Sequence, residues 1–370
     1  MADDLQLPLP LADLPKALQR FCNPEGPTPG RMMAAKGLVP VKGTDQIIML
    51  AQLSADADEM VAKTARDSLD KLPEAVMAGA CDAQLPAAVL DLLASVVSDD
   101  ELLGTLVANN ATSDTTVERV ARTASERLSE RIAVNEARLL AAPGIIEALY
   151  KNRQTRMSTA DRLIELAARN GLELTGIPAF KAHVEALQGQ LIPEPSDDPL
   201  PQDAAFNDAL EADDDDDAYE RDKVSGMEEV KQKFKPLKMQ IMEMTKAEKL
   251  RLALVGNAGA RAILVRDNNK QVAMASVTSP QMTLPEACDL AKSKEVSEEV
   301  LRYVGSRKEW IKSAEIKHNL VFNPKTPVGI SLRFMSHLRL DELKTLARNR
   351  NVSGQLRSLA AQHVTRKEKR

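Results

Sequence analysis

Val321-Phe322-Asn323-Pro324-Lys325-Thr326-Pro327 repeats, 44 residues on, the pattern of Val277-Thr278-Ser279-Pro280-Gln281-Met282-Thr283. At the same offset Leu290 falls on Phe334 and Ala291 on Met335. A second pair lies nearby: Leu290-Ala-Lys-Ser-Lys-Glu-Val-Ser297 returns as Leu346-Ala-Arg-Asn-Arg-Asn-Val-Ser353. In the N-terminal half, Val107-Ala-Asn-Asn-Ala-Thr-Ser113 and Leu149-Tyr-Lys-Asn-Arg-Gln-Thr155 have the same form. In each, an apolar run ends, an Asn or Pro breaks the helix, and a Thr, Ser or Met precedes the next run. Asn and Pro stop a helix, and a hydroxyl caps the free amides of the following one. A unit of this size cannot bury its own apolar face, so neighbouring units must stack.

The composition agrees with a stack of helices. Hydrophobic residues make up 44% of the 370 residues but aromatic ones only 3%. The apolar mass is therefore Ala, Leu, Val, Ile and Met, which suits helix cores and argues against sandwiches and barrels built on β-branched and aromatic side chains. Short amphipathic runs are read at Leu85 to Val97, Leu102 to Val107 and Val117 to Ala121. Ser98 with Glu101, Thr115 with Glu118, Thr245 with Glu248 and Thr283 with Glu286 have the spacing of a capping box at a helix start. Ile263 to Val277 admits either a hairpin about Asn268-Asn269 or helices, and its place inside the array favours helices. The expected fold class is all-α, with many short helices.

The turn Phe322-Asn323-Pro324-Lys325-Thr326-Pro327 resembles the x-Asn-Pro-x-Thr-Pro turn of bacterial variant leucine-rich-repeat and HEAT-like helical repeat proteins. The resemblance spans about 245–365 and, more loosely, 55–170. It implies an α-solenoid, and a family made up mostly of interaction scaffolds with a minority that bind or act on DNA. It carries no catalytic residue onto this chain.

Seven of the 20 prolines fall in the first 40 residues, and Pro193, Pro195, Pro199 and Pro201 crowd a second stretch. Glu194 to Asp222 holds 13 carboxylates against one base, Arg221. Charge repulsion at that density extends a chain. The expected organisation is a proline-rich arm over 1–39, a helical-repeat domain over 40–192, a disordered acidic linker over 193–225, a basic helical-repeat domain over 226–365 and a basic tail over 366–370. Residues 1–193 sum to −7, the acidic stretch to −12 and residues 223–370 to +14, which gives the overall −5. The basic part next to an acidic stretch predicts either an external anionic partner or an acidic linker that competes for the basic domain.

Catalytic signatures are absent from the sequence. Gly256 and Gly259 lack the Lys-Ser/Thr pair of a phosphate-binding loop and read as a helix-ending turn. His183, His318, His337 and His363 have no metal-ligand spacing, although His318 and His337 with Asp341 and Glu342 make a metal site conceivable. Cys22, Cys81 and Cys288 lie far apart, which removes a disulfide framework and fits a reducing compartment. The expectation is a cytoplasmic protein with no cofactor, no metal, no membrane contact and no enzymatic activity.

The candidate partner-binding residues are therefore the cations of the C-terminal half: Lys292, Lys294, Arg307, Lys308, Lys312, Lys317, Arg348 and Arg350. Arranged on successive repeats they would form one ridge that attracts a polyanion. Trp310 follows a turn-like stretch and is a possible interface anchor, with a core position as the alternative. Met227, Met239, Met242 and Met244 mark a helix that caps the solenoid or offers an adaptable face. The reading is a non-enzymatic scaffold that binds protein partners through its repeat surfaces. The alternative is nucleic acid, or another polyanion, bound through 226–370.

Overall fold

A computed structural model of the chain describes residues 6–212, 218–221 and 228–368. It is all-α, with 24 α-helices and, among the described residues, one two-stranded antiparallel ribbon. The chain divides into two compact units, 1–155 and 156–370.

The first unit holds α1 (Lys16–Cys22), α2 (Thr28–Ala35), α3 (Thr44–Leu53), α4 (Glu59–Leu69), α5 (Glu74–Asp82), α6 (Ala87–Val96), α7 (Asp100–Ala108), α8 (Asp114–Ala121), α9 (Glu126–Ala133), α10 (Glu136–Ala141) and α11 (Pro143–Lys151). Helices two places apart pack together, α7 on α5, α9 on α7 and α8 on α6, and α11 packs on α8. That is the signature of stacked helix pairs. Leu90, Leu93, Leu106, Ile145 and Leu149 fill the space between them.

The repeats are stitched by asparagines. Asn109 ends α7, and its Nδ2 donates to the Cys81 and Ala83 carbonyls at 2.9 and 2.8 Å. Asn152 ends α11 and in the same way donates to the Ala121 and Ala124 carbonyls at 3.0 and 2.8 Å. Each Oδ1 turns back to accept the amide two residues on, Ala111 or Gln154, which shapes the local turn. One side chain thus ends a helix, closes a turn and donates to carbonyls of the preceding repeat.

The arm expected over 1–39 is part of this unit. Leu14, Leu18, Cys22, Ala34 and Ala35 are buried, and the backbone of Leu9 exchanges two hydrogen bonds with the Gln52 amide, both 2.7 Å. The prolines are compatible with this because they sit at helix starts: Pro15 and Pro27 precede α1 and α2, and Pro29 lies in the first turn of α2. Proline's missing amide costs nothing there.

The second unit holds α12 (Met157–Arg169), α13 (Phe180–Leu187), α14 (Pro201–Glu211), β1 (Tyr219–Arg221), β2 (Glu228–Val230), α15 (Lys235–Glu243), α16 (Lys246–Val255), α17 (Ala258–Leu264), α18 (Lys270–Val277), α19 (Leu284–Lys292), α20 (Glu298–Val304), α21 (Ala314–Phe322), α22 (Val328–Met335), α23 (Leu340–Arg348) and α24 (Gly354–Glu368). Thr245 with Glu248 and Thr283 with Glu286 form the expected capping boxes on α16 and α19. The other two are replaced by nearer groups: Asp99 caps α7 and Ser113 caps α8. Ile263 to Val277 contributes α17 and α18, not a hairpin.

The unit boundary falls at Thr155, well before the acidic stretch, because α12 to α14 pack with α15 and α16. The expected linker over 193–225 is structured over α14. Phe206, Ala209 and Leu210 are buried, and the buried Asp203 accepts from the Ser158 amide, the Ser158 hydroxyl and the Leu200 amide. Charge averaged over the stretch conceals this apolar face and a carboxylate with three donors. Arg156 holds the approach to α14 through the carbonyls of Ser196 and Asp197. The remainder of the linker reading, at 213–217 and 222–225, lies outside the described residues. The tail expected over 366–370 is helical as far as Glu368, and Lys367 donates to the Leu338 carbonyl at 2.8 Å.

Candidate interaction surface

The C-terminal repeats present two edges of helix-ending turns. On the first, Asn323 ends α21 and its Nδ2 donates to the Ala291 and Ser293 carbonyls at 2.9 and 2.7 Å, setting this turn directly on the turn after α19. The next turn, after α23, opens with Asn349, whose Oδ1 accepts the Asn351 amide, and His318 of α21 lies 3.9 Å from Glu342 of α23. On the second edge the Ser279 hydroxyl, past the end of α18, donates to the Leu254 carbonyl near the end of α16. Arg333, near the end of α22, donates to the Gly305 carbonyl at the end of α20.

This arrangement separates the cations that the sequence grouped. Lys292, Lys294, Arg348 and Arg350 belong to the first edge, at the ends of α19 and α23. Arg307, Lys308 and Lys312 belong to the second, in the segment between α20 and α21. They do not form one ridge, because consecutive helices end on alternate edges. Lys317 is half-buried within α21. The sequence reading left out Lys325, which sits exposed on the first edge inside the quoted turn; its place in the repeat was the available signal.

Among the described residues, some cations of each unit are paired with carboxylates and others are not. In the first, Arg119, Arg122, Arg127, Arg131 and Arg138 each bond a carboxylate, of Asp91, Glu118, Glu101, Glu101 and Asp114 respectively. On the first edge of the C-terminal repeats, Lys292 is held by Asp289 and Glu315 at 3.5 and 3.0 Å, and the Glu315 hydrogen bond raises its pKa. Lys294, Lys325, Arg348 and Arg350 are exposed and have no ion pair among the described residues. Lys308 and Lys312 share that condition on the second edge.

An acidic segment already rests at the start of the first edge. The ribbon pairs Tyr219 with Val230 and Arg221 with Glu228. Glu228 Oε2 accepts from Arg266 Nη2 at 3.1 Å, just past α17, and from the Ser293 hydroxyl at 2.8 Å, in the turn after α19. The Arg266 guanidinium lies 3.8 Å from the centre of the Tyr219 ring. Burial is the main cause of the raised Tyr219 phenol pKa.

Trp310 is 7% exposed and belongs to the core, edge-on to Tyr303 at 5.9 Å, so it is not an exposed anchor. The 3-10 turn at Trp310–Lys312 points its indole inward, where the stack supplies apolar contacts. Met239 and Met242 on α15 are exposed. Met227 lies outside the described residues.

Several buried polar groups hold helices together. Arg261 bonds Glu286 and also donates to the Gly256 carbonyl at 2.8 Å. His183 Nε2 lies 2.8 Å from Asp161 Oδ1 with the imidazole fully buried, which ties α13 to α12. Burial raises the thiol pKa values, to about 12 at Cys22 and about 11 at Cys81 and Cys288. No group of three metal-ligating side chains occurs among the described residues. The cavity between the ribbon and α17 and α19 measures about 30 Å³, room for about one water. A larger open groove of about 480 Å³ runs between α12 and α13, past Ile164, Val184, Leu187 and the exposed Leu191. No described helix is long and apolar enough to cross a membrane.

Compared with models of protein families and with curated proteins, the sequence matches none.

Proposed function

We propose that the protein is a cytoplasmic scaffold that binds protein partners through the surfaces of its stacked repeats and catalyses no reaction. One observation carries this reading. Buried polar side chains such as Asn323 and Arg261 join one repeat to the next, while exposed cations at successive turns have no carboxylate partner among the described residues. Fixed turns that present unpaired charge are a surface suited to recognition. The architecture expected from the resemblance to variant leucine-rich-repeat and HEAT-like proteins points the same way, with fold alone not fixing function.

The same unpaired cations favour a second reading, in which the partner is nucleic acid. The two separate in one experiment. Full-length protein is used as bait in native lysate, with and without nuclease, and bound material is identified by mass spectrometry. Discrete proteins that survive nuclease support the scaffold. Bound nucleic acid, or partners lost on nuclease treatment, overturns it in favour of the second reading.

A further inference from the structure

We infer that the edge formed by the turns after α19, α21 and α23 binds an extended acidic polypeptide segment of a partner, with its carboxylates received by Lys294, Lys325 and Arg350. This rests on the scaffold reading and names the partner's chemistry and the place where it binds.

Three observations lead to it. The first is that this edge already receives such a group from its own chain. Glu228, on an extended strand that continues into Glu229, is held by Arg266 past α17 and by the Ser293 hydroxyl in the turn after α19. The second is that the edge continues beyond the ribbon. Asn323 fixes the turn of Lys325 on the turn of Lys294, and in the turn after α23 Arg350 follows the helix-ending Asn349 as Lys294 follows Ser293. None of the three has an ion pair among the described residues, whereas Arg119, Arg127 and Arg138 of the first unit bond carboxylates.

The third is spacing. Stacked helices lie about 8–10 Å apart, and an extended chain in the polyproline-II conformation advances about 3.1 Å per residue with about three residues per turn, so every third side chain falls on one face and meets a successive turn. Nucleic acid fits less well. The one tryptophan is buried, so it offers no base a stacking platform.

The test uses full-length protein and fluorescence anisotropy with three labelled probes: a synthetic peptide with glutamate at every third position, its glutamine counterpart, and a short DNA duplex. The glutamate peptide is expected to bind most tightly, with an affinity that falls as salt is raised. The triple variant K294E/K325E/R350E is expected to lose about tenfold or more in affinity, and K308E/K312E, on the other edge, to change it by less than about threefold. Circular dichroism and the unfolding midpoint establish that both variants fold; the substituted side chains are exposed. Tighter binding of the duplex, equal binding of the glutamine peptide, or equal sensitivity to the two variants overturns the inference. Partners that survive nuclease and are still captured by the triple variant leave the scaffold standing and remove this edge from it.

Discussion

Arg261 and Glu286 face each other across one repeat with two hydrogen bonds, Nε to Oε1 at 2.9 Å and Nη2 to Oε2 at 3.1 Å. Both side chains are 5% exposed, and Glu286 also accepts from the Thr283 amide and hydroxyl at the start of α19. Removing one charge strands the other in the interior. Glu286→Gln is expected to lower stability by about 3–5 kcal/mol, measured by denaturant unfolding. Replacing the pair together by Arg261→Met and Glu286→Leu is expected to recover most of that, short of about 1 kcal/mol for the lost helix cap. A double variant no more stable than Glu286→Gln would show that the charge is not the main term.

The two C-terminal turn asparagines are expected to differ. Asn323→Ala leaves the buried carbonyls of Ala291 and Ser293 without their donor and should cost about 2–3 kcal/mol. Asn349 makes a local bond to the Asn351 amide, and Asn349→Ala should cost less than about 1 kcal/mol. Equal shifts in the unfolding midpoint would contradict the stitching role assigned to Asn323.

Phe206 anchors α14 with a fully buried ring, 5.0 Å from the Arg251 guanidinium. Phe206→Ala should destabilise the second unit by about 3–5 kcal/mol, read by thermal or denaturant unfolding. A flexible linker at this position predicts no change, so the same measurement decides between the two descriptions.

The three thiols should react slowly with a thiol reagent near pH 8 in the folded protein and rapidly once it is unfolded, since the thiolate is the reactive form. The ordinary thiol value is 9.0, and burial raises Cys22 to about 12 and Cys81 to about 11. Between those limits the unfolded chain has released protons that the folded chain retains. Stability is therefore expected to fall as pH rises above about 9. Fast labelling of Cys22 under native conditions at pH 8 would contradict its burial.

Much of the fold could be read from residue spacing, and the reasons are local. Leu85 to Val97 predicts a helix and α6 occupies Ala87–Val96, because an apolar stripe and a flanking proline act within one turn. The 44-residue alignment placed Asn323 over Ser279, while the structure stacks Asn323 on Ala291 and Ser293. Both turns follow the same local chemistry, but consecutive helices end on alternate edges, and sequence similarity does not record which. The same alternation divides Lys294 and Arg350 from Lys308 and Lys312, so a surface that looked continuous in sequence is two edges in space. The acidic stretch misled for another reason: Phe206 and Asp203 acquire meaning only beside Ser158 and Arg251, which are distant in the chain.

Trp310 is the single tryptophan of the chain, and it lies in the C-terminal core against Tyr303, with the Arg307 guanidinium 5.7 Å from the ring. The protein thereby carries one intrinsic optical reporter. Its emission follows the surroundings of α20 and α21, while far-ultraviolet dichroism sums over all the helices. If the stack opens from one end, the two signals part company during unfolding, and the gap between them measures how far cooperativity extends along the repeats.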